Sequence, residues 1–179
     1  MLTLVTGGSA SGKSEYAEGL AIAGGGKRYY IATMQPMGTG DAEFEARVAR
    51  HREMRAHKGF ETIECYTNLS AVVVEPGATV LLECLSNLAA NEFYSEAGAG
   101  AQAQQAILAG VRHLCRQAEH VIVVSNEVFG DGVCYDESTQ QYLQLLGSLN
   151  RCLAQLAQRV IEVVYTIPVH HKNEGGEGR

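Results

Sequence analysis

The run Gly7-Gly8-Ser9-Ala10-Ser11-Gly12-Lys13-Ser14 sets glycines, a lysine and a hydroxyl in the spacing GxxxxGK[ST]. Glycines let successive backbone N–H groups turn inward around phosphate oxygens, and a helix beginning at the end of the run adds a partial positive charge. Lys13 is placed to reach the β and γ phosphates of a nucleoside triphosphate, and Ser14 to hold Mg2+. An apolar strand pattern before the run and a helical pattern after it distinguish it from an ordinary glycine-rich turn.

Such a loop implies a nucleoside triphosphate but not what becomes of it. No guanine-reading NKxD motif follows, which sets a GTPase switch aside. Motor and transport ATPases are normally longer and carry an apolar strand ending in Asp, whereas here Thr79 to Leu82 ends in Glu83. Glu83 has three readings: it orients Mg2+ or its water, it takes the proton from a substrate hydroxyl, or it caps the helix that follows. The length fits a small-molecule kinase best; a nucleotide-binding regulatory subunit without catalysis is the non-enzymatic alternative.

The second informative segment is Arg47-Val48-Ala49-Arg50-His51-Arg52-Glu53-Met54-Arg55. On a helix Arg47, His51 and Arg55 recur at i, i+4 and i+8 and share a face. Neighbouring positive charge disfavours the imidazolium and leaves a ring nitrogen lone pair free near neutral pH, as a nucleophile toward phosphorus requires. The same arginines suit a triphosphate. A solvated, Arg-rich helix with a surface histidine is the competing reading, and spacing alone does not choose between them.

Other candidates carry less chemistry. Ser125-Asn126-Glu127 follows an apolar run and so falls at the carboxyl edge of the sheet, where ligands collect, with the loop Phe129-Gly130-Asp131-Gly132 beside it. His113 and His120 read as capping or packing residues. His170-His171 read as exposed residues in a polar tail rather than metal ligands.

Positioning these groups requires an α/β fold. Short β-branched runs alternate with longer helical patterns, the signature of a mostly parallel sheet with helices packed on it. Strands are expected at Leu2 to Thr6, Arg28 to Thr33, Glu61 to Cys65, Thr79 to Cys84, His120 to Ser125 and Val160 to Thr166. Helices are expected at Lys13 to Ala23, Asp41 to His57, Ser86 to Glu96, Ala101 to Gln117 and Glu137 to Gln158. The whole is one domain over residues 1–169, with a flexible polar tail at 170–179.

Composition bounds the rest. With 179 residues, 46% hydrophobic and 19% charged, the chain has the make-up of a globular domain. Fourteen Lys and Arg against 20 Asp and Glu give a net charge of −6, which argues against a surface that coats nucleic acid or an anionic membrane. Five scattered cysteines without a CxxC pair read as reduced thiols of a cytoplasmic protein, and no apolar stretch of spanning length occurs.

Taken together, GGSASGKS, Tyr30-Ile31-Ala32-Thr33, RVARHREMR, Thr62-Ile63-Glu64, Leu81-Leu82-Glu83-Cys84, Ser125-Asn126-Glu127-Val128 and the late LGSLNRCLAQLAQRV resemble one family. It is the bifunctional adenosylcobinamide kinase / adenosylcobinamide-phosphate guanylyltransferase family of cobalamin assembly, and the resemblance runs from residue 1 to about Val169. It implies a P-loop NTPase with a RecA-like sheet, Mg2+ as cofactor, ATP or GTP as phosphate donor, adenosylcobinamide as acceptor, and a homotrimer. It further implies that a histidine, by position His51, attacks the α-phosphorus of GTP and carries GMP to adenosylcobinamide phosphate. Lys13 and Glu83 join His51 as catalytic residues. The nucleotide contacts are then residues 7–14 (Gly7, Gly8, Ser9, Ala10, Ser11, Gly12, Lys13 and Ser14) together with Ala32, Thr33, Met34, Arg52, Glu53, Met54, Arg55, Glu64 and Glu83. This chain departs from the pattern at Ala10, commonly Arg in the family, at Phe60, usually Trp, and in a loop after Val128 that is one residue longer.

Overall fold

The computed structural model describes residues 1–35, 56–128 and 135–174. The β-branched runs pair into one seven-stranded sheet: β1 (Leu2–Thr6), β2 (Arg28–Ala32), β3 (Phe60–Glu64), β4 (Thr79–Glu83), β5 (His120–Val124), β6 (Arg159–Val164) and β7 (Ile167–Asn173). Their order is β3-β2-β4-β5-β1-β6-β7. The first six are parallel, and β7 returns antiparallel beside β6. Four helices lie among the described residues: α1 (Lys13–Ala23), α2 (Leu85–Tyr94), α3 (Ala103–Gln117) and α4 (Glu137–Leu156).

Strands covered on both faces must be apolar at successive positions, and the two parities go to different cores. Leu2, Leu4, Ile31, Val80, Leu82, Val121 and Val123 pack with Leu85 and Leu88 of α2, Ile107 and Leu114 of α3, and Leu146, Leu149 and Leu153 of α4. Val5, Tyr30, Leu81, Ile122, Val124, Ile161 and Val163 face the other way and meet Ala17 and Ala21 of α1. Small residues there bring α1 close to the sheet, so the loop preceding it sits directly over the carboxyl end of β1.

The α/β architecture is as expected from the sequence, and α1 has the expected bounds. Most other ends fall within two residues of expectation. α3 starts at Ala103 rather than Ala101 because Gly100–Gln102 forms a 3-10 turn ahead of it. Of the helix expected at Asp41 to His57, all but the last two residues lie outside the described residues.

The polar stretch from His170 requires a correction. His170 to Asn173 belong to β7, paired with Ile161, Val160 and Arg159 of β6. An edge strand needs no continuous apolar run, since one side of it is open to water. Its turn, Tyr165-Thr166 with φ of 49° and 67°, has the left-handed geometry of a two-residue hairpin without the Asn-Gly that usually announces it. His171 faces Glu162 at 2.8 Å, and both His170 and His171 are exposed. No helix among the described residues is long and apolar enough to cross a membrane.

Candidate functional site

Residues 7–12 wrap the carboxyl end of β1 and feed α1. Gly7 (φ 153°) admits no side chain, because a Cβ there would stand 2.5 Å from the Val163 carbonyl oxygen. Gly12 at φ 88° is the N-cap of α1 and Ala10 at φ 55° shares the left-handed region, so the chain coils tightly. The free N–H groups of the first helical turn therefore converge at one mouth. Lys13 is buried and folds its ammonium back to the Gly8 carbonyl at 3.0 Å. The Ser11 hydroxyl is buried without a hydrogen-bond partner among the described residues. On the outer side the loop is braced by the β6–β7 turn, where the Thr166 N–H donates to the Ser11 carbonyl at 2.8 Å.

At the same mouth the Ser14 hydroxyl donates to the carboxylate of Glu83, the last residue of β4. Tyr30, buried on β2, also hydrogen-bonds that carboxylate. Burial pushes the Glu83 carboxyl above the ordinary glutamate range; the Ser14 and Tyr30 hydrogen bonds and the Lys13 charge pull it back, while Glu18 adds to the rise. The N-cap of α2 is Cys84, and it has no side-chain cap bond. The Glu83 carboxylate, bonded to Ser14 and Tyr30, faces the phosphate loop, as the two phosphate-side readings require. The Glu83–Cys84 peptide bond is cis.

The remaining edge of the sheet is polar and tightly bonded. Thr33, fully buried after β2, donates its hydroxyl to the Cys84 carbonyl at 2.8 Å and accepts from the Cys84 N–H at 2.7 Å. Its carbonyl accepts from the Asn91 amide at 2.8 Å. The Asn126 amide donates to Ser86, the Ser125 hydroxyl to Asn150 at 2.6 Å, and the Glu127 N–H to the Gly7 carbonyl at 3.1 Å. Ser125 to Glu127 thus tie the phosphate loop to α2 and α4.

The structure brings Gly7 to Ser14 and Glu83 together. Ala32 is half-buried at the end of β2, and Met34 is exposed two residues further on. Glu64 is not brought to the loop. It ends the edge strand β3, four strand positions from β1, roughly 19 Å away at the usual spacing. It is exposed, with the Tyr66 hydroxyl on its carboxylate at 3.0 Å. His51, Arg52, Glu53, Met54 and Arg55 lie outside the described residues. Sequence reading missed Tyr30 and Thr166. The first had a signal, since Tyr30 shares strand parity with Ala32, and Ala32 registers with Glu83; the second had none without the hairpin.

A parallel sheet with a lysine-bearing glycine loop after β1, and a hydroxyl and carboxylate meeting at its mouth, defines a P-loop nucleotide-binding protein. The family described as cobinamide kinase / cobinamide phosphate guanyltransferase matches residues 3–171. Similar proteins include the bifunctional adenosylcobalamin biosynthesis protein CobU of Escherichia coli, 33% identical over 96% of this chain and 100% of its own. The protein of that name from Salmonella typhimurium is 32% identical over 96% and 100%, and CobP of Pseudomonas aeruginosa 32% identical over 97% and 99%. The chain belongs to the cobinamide kinase / cobinamide phosphate guanyltransferase family. Among solved structures, the flagellar accessory protein FlaH of Methanocaldococcus jannaschii is 13% identical, covering 99% of this chain and 81% of its own at a TM-score of 0.49. The fold assignment rests on the strand order above.

Proposed function

We propose that the chain phosphorylates adenosylcobinamide with ATP or GTP, and then transfers GMP from GTP to the resulting phosphate through a guanylylated His51. The observation that carries the reading is the meeting of Ser14 and Glu83 at the mouth of a loop whose lysine is already turned inward.

In the first step the substrate hydroxyl oxygen attacks the γ-phosphorus, and the bond from that phosphorus to the bridging oxygen breaks. Glu83 receives the hydroxyl proton. Its partial burial raises its basicity, which suits a group that must accept a proton near neutral pH. Lys13 and the backbone N–H groups of residues 8–14 stabilise charge on the phosphate oxygens. The Ser14 hydroxyl is a hard oxygen of the kind Mg2+ accepts alongside phosphates and water, so this residue would hold it and leave the Glu83 carboxylate beside it to take the proton. When bound, Mg2+ neutralises charge on the β and γ phosphates.

In the second step the free imidazole nitrogen of His51 attacks the α-phosphorus of GTP and pyrophosphate leaves. An oxygen of adenosylcobinamide phosphate then attacks that phosphorus, the P–N bond breaks and the imidazole is restored. Arg47 and Arg55 keep the ring uncharged, and Arg52 and Arg55 bind phosphate oxygens. Ala32, Met34 and Glu64 border the nucleotide on the β2–β3 side in this reading, and homotrimer assembly and a cytoplasmic location go with it.

Incubation with α-labelled GTP tests the covalent step. The protein should carry a label that is stable to alkali, labile to acid and absent in His51→Ala, which retains kinase turnover. Kinase turnover with no label in the unmodified protein would leave a P-loop kinase without a nucleotidyl step.

A further inference from the structure

β5 lies between β4, which ends in Glu83, and β1, which ends in the phosphate loop. Asn126 stands two residues past Val124, the register partner of Glu83, and one residue before Glu127, whose N–H donates to the Gly7 carbonyl at 3.1 Å. The strand that carries it therefore has the proton acceptor on one side and the loop on the other, each at the usual spacing of about 5 Å. The amide nitrogen of Asn126 is engaged: it donates to the Ser86 hydroxyl and lies 3.7 Å from the Cys84 sulfur. Those contacts fix the amide plane. The carbonyl oxygen at its other end has no hydrogen-bond partner among the described residues, and it is not buried. The nearby hydroxyls of Thr33 and Ser125 are by contrast both engaged within the protein.

What such an oxygen can take follows from its chemistry. An amide carbonyl accepts a hydrogen bond from an N–H or O–H and gives nothing to an anionic phosphate. The proton of the reacting hydroxyl goes to Glu83, so the partner of Asn126 is a second donor close to that hydroxyl. Adenosylcobinamide has one. Its hydroxyl sits on an aminopropanol arm joined through a secondary amide, which places an N–H two carbons from the hydroxyl oxygen, roughly 3–4 Å away in the staggered rotamers. The nucleotide contacts proposed at Ala32, Met34 and Glu64 occupy the β2–β3 side of Glu83, which leaves the β5 side for the arm. We infer that Asn126 is a specificity residue for the phosphorylation step, its side-chain carbonyl accepting the amide N–H of the acceptor's arm while the hydroxyl faces Glu83. The inference rests on the kinase half of the function proposed above.

The test compares two acceptors: adenosylcobinamide, and its ester analogue in which oxygen replaces the N–H of the arm. Steady-state phosphorylation gives KM and kcat for each. The unmodified protein should show a KM roughly 5- to 150-fold higher for the ester, as expected when one hydrogen bond is lost and its partner left unpaired, with similar kcat. Asn126→Ala should raise KM for the amide to that for the ester, so that the ratio falls to about one. Losing the contacts to Ser86 and Cys84 lowers stability as well, but a smaller folded fraction affects both acceptors alike and leaves the ratio unchanged. Asn126→Asp keeps an oxygen toward the arm and should retain the preference for the amide. An unmodified protein indifferent to the exchange would overturn the inference, as would an Asn126→Ala variant that keeps the preference or an Asn126→Asp variant that loses it. An unmodified protein that phosphorylates neither acceptor would refute the kinase reading itself.

Discussion

The two halves of the sheet's carboxyl edge are built in different ways. Beside β1, eight contiguous residues make the phosphate loop, shaped by short-range bonds such as that of Lys13 to the Gly8 carbonyl and braced from outside by Glu83, Glu127 and Thr166. Beside β2, β4 and β5, the polar floor is assembled from Thr33, Cys84, Ser86, Asn91 and Asn126, which come from three separate parts of the chain. A local motif carries chemistry in the first half. In the second half, topology holds that chemistry in place, so substitutions there should act on stability before they act on turnover.

The largest effect separates the halves most sharply. Lys13→Ala should reduce kcat/KM about a thousandfold in both half-reactions, because one loop serves the donor in each. Steady-state assays of phosphorylation and guanylylation check it, and unchanged kinase turnover would break the comparison. Glu83→Gln should cost the kinase step about a hundredfold or more while leaving the fold intact. The sign of its stability effect is fixed by burial. A carboxyl whose folded pKa is raised favours the folded state at low pH and loses that contribution as pH rises through the folded pKa. Melting temperatures of the Gln variant, relative to the unmodified protein, should therefore improve from acid toward neutral pH. A relative decline would mean that the Ser14 and Tyr30 hydrogen bonds outweigh desolvation.

The polar floor should respond the other way. Thr33→Val keeps the volume but strands the Cys84 N–H and carbonyl, so it should lower stability by about 2 kcal/mol, read as a melting shift of roughly 4–8 °C. A smaller effect is expected at the far edge. Ending the chain after Val169 removes part of the β6–β7 ladder and should cost about 1 kcal/mol, whereas ending it after Glu174 should cost nothing measurable. Equal melting points for the two truncations would show that the outer half of β7 is not a working part of the sheet.

What the sequence disclosed follows the same division. The loop, α1 and the six parallel strands were legible because phosphate binding demands contiguous glycines and a buried strand demands an apolar run. Glu83 was legible as a strand-end carboxylate with three roles open to it, and the sequence did not disclose that Ser14 faces it. Thr33 read as a nucleotide contact, yet its hydroxyl is engaged on both sides by the Cys84 backbone, a partner 51 positions away that no local pattern encodes. Tyr30 had only its strand parity with Ala32 to announce it, its partner Glu83 lying on a strand far along the chain. β7 was hidden by its composition, since a polar edge strand after a Tyr-Thr turn carries neither a strand nor a turn signature.

The central claim is that one loop presents a triphosphate to Glu83 for phosphorylation and to His51 for nucleotidyl transfer. Diffraction from crystals soaked with GTP and Mg2+ tests it most directly. The account predicts phosphate density against the backbone of residues 8–14, with phosphorus joined to an imidazole nitrogen of His51 in the reacted form. GTP phosphates bound away from that loop, or a His51 ring that no loop-bound nucleotide reaches in its own or an adjoining subunit, would contradict it.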